Sequence, residues 1–143
     1  MRFNFNASFF SFLDKIELTI TSPGSLSALA GTYILAPEIV NDDSYWDGAY
    51  WISANGKYAI WYCKDCQHID YIIGLTSELG GTSGYLSGWD GCGAWSGCDL
   101  LDVTDWQYAE NGNWVETDGI SITTSTNCNY SKLLVEKTYL CCN

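Results

Sequence analysis

The chain has 143 residues, one domain's worth and enough to bury roughly 68% of its unfolded surface; its 15% aromatic and 16% charged residues, with seven Trp and ten Tyr, describe a chain that packs a core. Six basic against seventeen acidic residues give a net charge of −11, and the basic ones form no cluster able to neutralise a phosphate backbone or an anionic lipid surface. Nucleic acid and membrane are therefore excluded as partners, and no apolar run approaches the ~20 residues a membrane helix needs.

In chain order, RFNFNASFF comes first. Phe3, Phe5, Ala7 and Phe9 share one parity, whereas Phe10 and Phe12 share the other. Its apolar face changes sides midway, as at a bulge or in a strand that leaves one sheet for another. Two homes are open to it: a strand packed on its own domain, or one given to a neighbouring subunit with Phe3, Phe5 and Phe9 at the interface. KIELTIT (15–21) alternates Ile16, Leu18 and Ile20 with polar residues, which predicts a half-buried strand. SPGSLSALAG (22–31) reads as a turn and connector with room for one short helix. GTYILA, AYWIS, KYAIWYC, HIDYIIGL, WQYA, NWVET, GISITT and KLLVEKTYL follow as short β-branched or aromatic runs. ANGK, SELGGTSG, ENGN and ETDG separate them with turn chemistry at hairpin spacing. The predicted class is all-β: a small disulfide-stapled antiparallel sheet or sandwich.

Seven cysteines are many for a reducing compartment, and the sequons at Asn6 and Asn129 are glycosylated only after secretion, so an extracellular address is expected. The start MRFNFNASFFSFLDKIEL argues the other way as a signal peptide, because Asp14, Lys15 and Glu17 interrupt its apolar stretch. In WYCKDCQH (61–68), Cys63 ends one strand run and Cys66 precedes the next, which puts Lys64 and Asp65 at a hairpin tip. That is not the strand-to-helix setting of a redox CxxC, and the next cysteines, Cys92 and Cys98, are separated by five residues in a glycine-rich loop rather than forming a second zinc pair with His68. Structural disulfides are expected, Cys63 with Cys66 and Cys92 with Cys98. Cys128 then faces Cys141 and Cys142, adjacent residues of which only one readily meets it on a strand. The spare thiol implies a bridge to another chain or a buried free cysteine.

Catalytic constellations are missing. One histidine, and the absence of a GxSxG elbow, a phosphate loop or an HExxH pair, leave nucleophilic and zinc-hydrolase chemistry without their parts, and no spacing among Glu78, Glu110 and Glu116 singles out an acid/base pair. NDDSYWDG (41–48), with Asp42, Asp43 and Asp47, and the stretch holding Asp90, Asp99, Asp102 and Asp105 are weak calcium candidates. Neither follows the EF-hand spacing, and solvated turn aspartates are the favoured reading. No cofactor is expected.

Taken in order, GTY (31–33), Tyr50, AIWYC (59–63), YIIGL (71–75), ELGGTSGYL (78–86), DWQYA (105–109), NWV (113–115) and GISIT (119–123) make residues 31–124 resemble a small aromatic-rich domain of modular extracellular proteins from algae, protists and marine invertebrates. The chain departs from that pattern at NDDSYW, where an NG-P-Y loop is expected, and in lacking a proline before Trp106. The resemblance implies an extracellular β-rich module without catalytic residues. Residues 1–30 are then an N-terminal strand extension and connector, and residues 125–143 a cysteine-containing C-terminal extension.

The function expected is a non-enzymatic extracellular structural module that self-associates into a fibre, coat or matrix through its apolar N-terminal strand. Its partners would be copies of itself or other extracellular matrix proteins. The rival is a carbohydrate-binding module in which exposed Trp46, Trp51 or Trp95 stacks on sugar rings while Asp and Asn side chains take the hydroxyls. Most of the Trp residues, Trp61 and Trp106 above all, are expected in the core.

Overall fold

The computed structural model describes residues 14–36, 49–63, 66–67, 71–89 and 100–124. Nine strands follow one another as β1 (Lys15–Ile20), β2 (Gly31–Leu35), β3 (Tyr50–Ser53), β4 (Tyr58–Tyr62), β5 (Tyr71–Leu75), β6 (Leu86–Trp89), β7 (Asp105–Glu110), β8 (Asn113–Thr117) and β9 (Ile120–Thr124). Every pairing is antiparallel, and the sheet order is β8-β7-β6-β5-β4-β3-β2-β1-β9. The all-β expectation holds.

The order carries its own three-dimensional consequence. β8 and β9 occupy opposite edges of the sheet, yet only Asp118 and Gly119 join them. A flat sheet of that width cannot be spanned by two residues, since a chain reaches at most ~3.6 Å per residue. The sheet therefore curls into a half-barrel whose two edges meet at the β8–β9 link. Hydrogen bonds fasten that corner: the Thr21 amide donates to the Gly119 carbonyl at 2.7 Å, and the Thr117 hydroxyl donates to the Ser22 carbonyl at 2.8 Å.

Alternation along each strand divides the residues between two faces. The concave face gathers Ile16, Leu18, Tyr33, Trp51, Tyr58, Ile60, Tyr71, Ile73, Leu86, Trp106 and Ile120, closed by Leu29, Leu100 and Val103 from short connecting segments. Leu29 ends the 3-10 helix Gly24–Leu29, the short helix anticipated near SLSALA, and its carbonyl accepts the buried Tyr33 hydroxyl at 2.7 Å. Burial, and after it the neighbouring Tyr58, hold the Tyr33 phenol well above the usual tyrosine range. On the convex face Tyr50, Ala59, Trp61, Cys63 and Ile72 form a second buried cluster. The β5–β6 connection covers it: Trp61 Nε1 donates to the Gly81 carbonyl at 2.9 Å, and a Cβ on Gly84 would clash with Ile72 and the Ile73 carbonyl. β4 and β5 are thus buried on both faces, which is why KYAIWYC and YIIGL read as nearly continuous apolar runs.

Cys63 and Cys66 are joined in a disulfide, with Cα atoms 5.4 Å apart. Tyr62 pairs with Tyr71 across the β4–β5 ladder, so the bridge lies in the connection of that hairpin, as WYCKDCQH predicts. β1, within the segment read as an N-terminal extension, is hydrogen-bonded on both sides, to β2 and β9, and belongs to the sheet. Phe3, Phe5, Phe9, Asn6, Asn129, His68, Cys92, Cys98, Cys128, Cys141, Cys142, Trp46, Trp95, Asp42, Asp43 and Asp47 lie outside the described residues.

Candidate functional site

Trp61 and Trp106 are core residues, 0% and 3% exposed. Trp51 is a correction to the sugar-stacking set. It points into the concave core opposite Ile60 and is 2% exposed, because its parity on β3 matches the inward residues Leu35 and Ile60 with which it pairs. A ring with that little free face cannot stack on a sugar.

Among the described tryptophans Trp89 is the most open to solvent, 41% exposed at the end of β6, whereas Trp114 on β8 is half-buried. Its parity explains this. Leu86 and Gly88 face inward, Gly88 because the Trp106 ring occupies the space a Cβ would need, so Ser87 and Trp89 face outward. Trp89 pairs with Asp105 across the β6–β7 ladder, and Gln107 pairs with Glu116 across the β7–β8 ladder, on the same outer side of the sheet.

These residues wall a groove where β6 ends, β7 begins and β8 ends. Its volume is about 370 Å³, and Trp89, Asp105, Gln107, Glu116 and Asp118 line it together with Thr104, Trp106 and Thr117. Trp106, almost wholly buried, contributes at the level of the core, whereas Asp105, Glu116 and Asp118 are exposed. The Thr117 hydroxyl is already committed, donating to Ser22 and accepting from the Gly119 amide at 3.1 Å, so it shapes the groove's end near Asp118. The lining thus combines an indole face, three carboxylates, a carboxamide and a threonine hydroxyl at Thr104. It offers an apolar surface for stacking beside acceptors for hydroxyl or amine donors.

Among the described residues no three His, Cys, Asp or Glu side chains are gathered to hold a metal ion, and Asp102 and Asp105 of the acidic stretch are not brought together with others for that purpose. Among the described residues the groove lining contains no cysteine, histidine or lysine.

Sequence reasoning missed Trp89 because LSGW was not read as a strand. Without β6 there was no parity from which to orient the indole. The usable signal was Leu86 and Trp89 in one short run, which puts them on opposite faces once a strand is recognised. No protein family, curated protein or solved structure matches the chain, so the site rests on the geometry of its own residues.

Proposed function

We propose that the protein is a non-enzymatic extracellular module that binds carbohydrate through the Trp89 groove. One observation carries the reading: an exposed indole stands directly across a strand ladder from a carboxylate, at the mouth of a polar groove of sugar-accommodating size. Sugar rings present a C–H face to an aromatic surface and hydroxyl groups to acceptors at its edge. Binding is favoured over catalysis because the groove sets exposed carboxylates beside a stacking surface and gathers no nucleophile with a base among the described residues. The extracellular address draws support from the Cys63–Cys66 bridge, of a kind that persists in oxidising compartments.

The test is a glycan array with the intact protein and a Trp89→Ala variant. Selective retention of a small set of glycans by the intact protein, reduced at least tenfold in the variant, is the expected result. An array with no selective signal removes the reading.

Self-association into a fibre, coat or matrix stands as a second reading, favoured by a different observation. β1 begins beside the end of β9, with Ile16 pairing with Thr124. The phenylalanine segment before β1 and the cysteine-containing segment after β9 are joined to the sheet at neighbouring points, from which both could reach one partner molecule. The two readings are compatible in a matrix subunit that also retains glycan.

A further inference from the structure

Building on the glycan reading of the groove, we infer that its ligand carries a free amine: an oligosaccharide of 2-amino-2-deoxyhexose units, with the ring face on Trp89 and the ammonium group among Asp105, Glu116 and Asp118. Among the described residues, every ionisable side chain lining the groove is an acid. The described lysines stand elsewhere: Lys15 starts β1 opposite Ile34, and Lys57 lies over the Tyr58 ring, 5.4 Å from its centroid. The acids also come from separate stations rather than one turn. Asp105 opens β7, Glu116 faces Gln107 from β8, and Asp118 occupies the link to β9.

The pairing of Trp89 with Asp105 is the geometric basis of the claim. Directly opposed residues of an antiparallel ladder hold their Cβ atoms about 5 Å apart, so one sugar unit can touch the indole and the carboxylate together. Charge decides which sugar. Like charges converging on one groove repel each other; a ligand ammonium relieves that repulsion, a neutral ring leaves it unchanged, and a uronate or sulfate increases it. The net charge of −11 acts in the same direction at longer range, concentrating cationic ligands near the surface and excluding anionic ones. N-acetylation of the amine removes the ligand's charge and keeps its ring, so the acetylated and free forms separate the electrostatic part of recognition from the stacking part.

The experiment is a titration of the full chain at low ionic strength with four oligosaccharides of equal length: β-1,4-linked glucosamine, its N-acetylated form, β-1,4-linked glucose and a uronic-acid oligomer. Expected are at least fivefold tighter binding of the glucosamine form than of either neutral form, a contrast that shrinks with added salt, and no binding of the uronate. Glu116→Gln should weaken the glucosamine complex at least threefold more than it weakens the neutral ones. Glu110→Gln, an acid outside the groove, should change none of the complexes. Neutral forms binding as tightly as glucosamine would overturn the amine inference and leave the glycan reading intact. Equal losses in E116Q and E110Q would trace the preference to overall charge and overturn the inference as well. Failure of all four to bind, or binding unaffected by Trp89→Ala, would overturn the inference together with the reading beneath it.

Discussion

The Tyr33 hydroxyl lies in the concave core and donates to the Leu29 carbonyl, an arrangement that lets a polar atom be buried without an unmet hydrogen bond. Its ionisation links stability to pH. The folded-state value is raised above the ordinary tyrosine value of about 10 by burial and by Tyr58, so the unfolded chain loses this proton first as pH rises. The contribution is fully present below pH ~10 and is lost as pH climbs toward the folded value. Tyr33→Phe should therefore cost about 1–2 kcal/mol near neutrality, where the Leu29 carbonyl loses its partner. The gap to the intact protein should narrow by about 1 kcal/mol by pH 11. Urea midpoints of both proteins at pH 8 and pH 11 measure it, and a gap that stays constant would assign the alkaline sensitivity to another group.

Among the elements, the β8–β9 link bears the closure of the sheet. A Cβ on Gly119 would run into the backbone nitrogen and carbonyl oxygen of Ser22, and its Cβ at 2.7 Å, so relief requires the backbone itself to shift. Gly119→Ala should cost about 2–3 kcal/mol by this overpacking, with the Thr21–Gly119 and Thr117–Ser22 hydrogen bonds disturbed as well. Gly56→Ala meets no atom within 4 Å and is opposed only by its φ of +75°, so about 1 kcal/mol is expected there. Denaturant unfolding of the two variants side by side gives the comparison; equal losses would mean that the corner yields more easily than its contacts imply. The same link shows what the sequence made legible. ETDG announced a turn, and the runs on either side announced strands, because alternation and turn residues are local signals. ENGN likewise became a tight hairpin with Asn111 and Gly112 at φ 53° and 80°. What no local signal supplied was partnership: nothing in NWVET or GISITT says that one pairs with β7 and the other with β1 on the far side of the sheet. β6 escaped notice for a related reason. Ser87 and Gly88 have weak strand propensity, and Gly88 is there for the Trp106 ring, a residue eighteen positions away. The candidate groove was illegible with it, since Trp89 owes its exposure to the parity of that strand.

For the whole molecule, the question is whether the sheet is complete by itself or built to take part in something larger. The described residues between 14 and 124 hold two buried clusters, one on each face, and backbone hydrogen bonds at Gly119 fasten the corner that joins β8 to β9. A folded core of this kind should survive removal of residues 1–13. Phe3, Phe5 and Phe9 would each contribute roughly 1.5–3 kcal/mol if fully buried, enough in sum to hold copies together if a neighbouring chain buries them. The opposing term is the repulsion between chains of net charge −11, which salt screens beyond a Debye length of about 8–10 Å. Assembly through the phenylalanine segment should consequently strengthen as ionic strength rises from ~10 to ~150 mM. Light scattering of the full chain and of a version lacking residues 1–13, each across that salt range, separates the possibilities. The expected outcome is a large, salt-promoted particle for the full chain and a folded monomer at every salt concentration for the shortened one. A shortened chain that cannot fold would show that the phenylalanines complete their own protomer's core, and the donor-strand reading would then be abandoned.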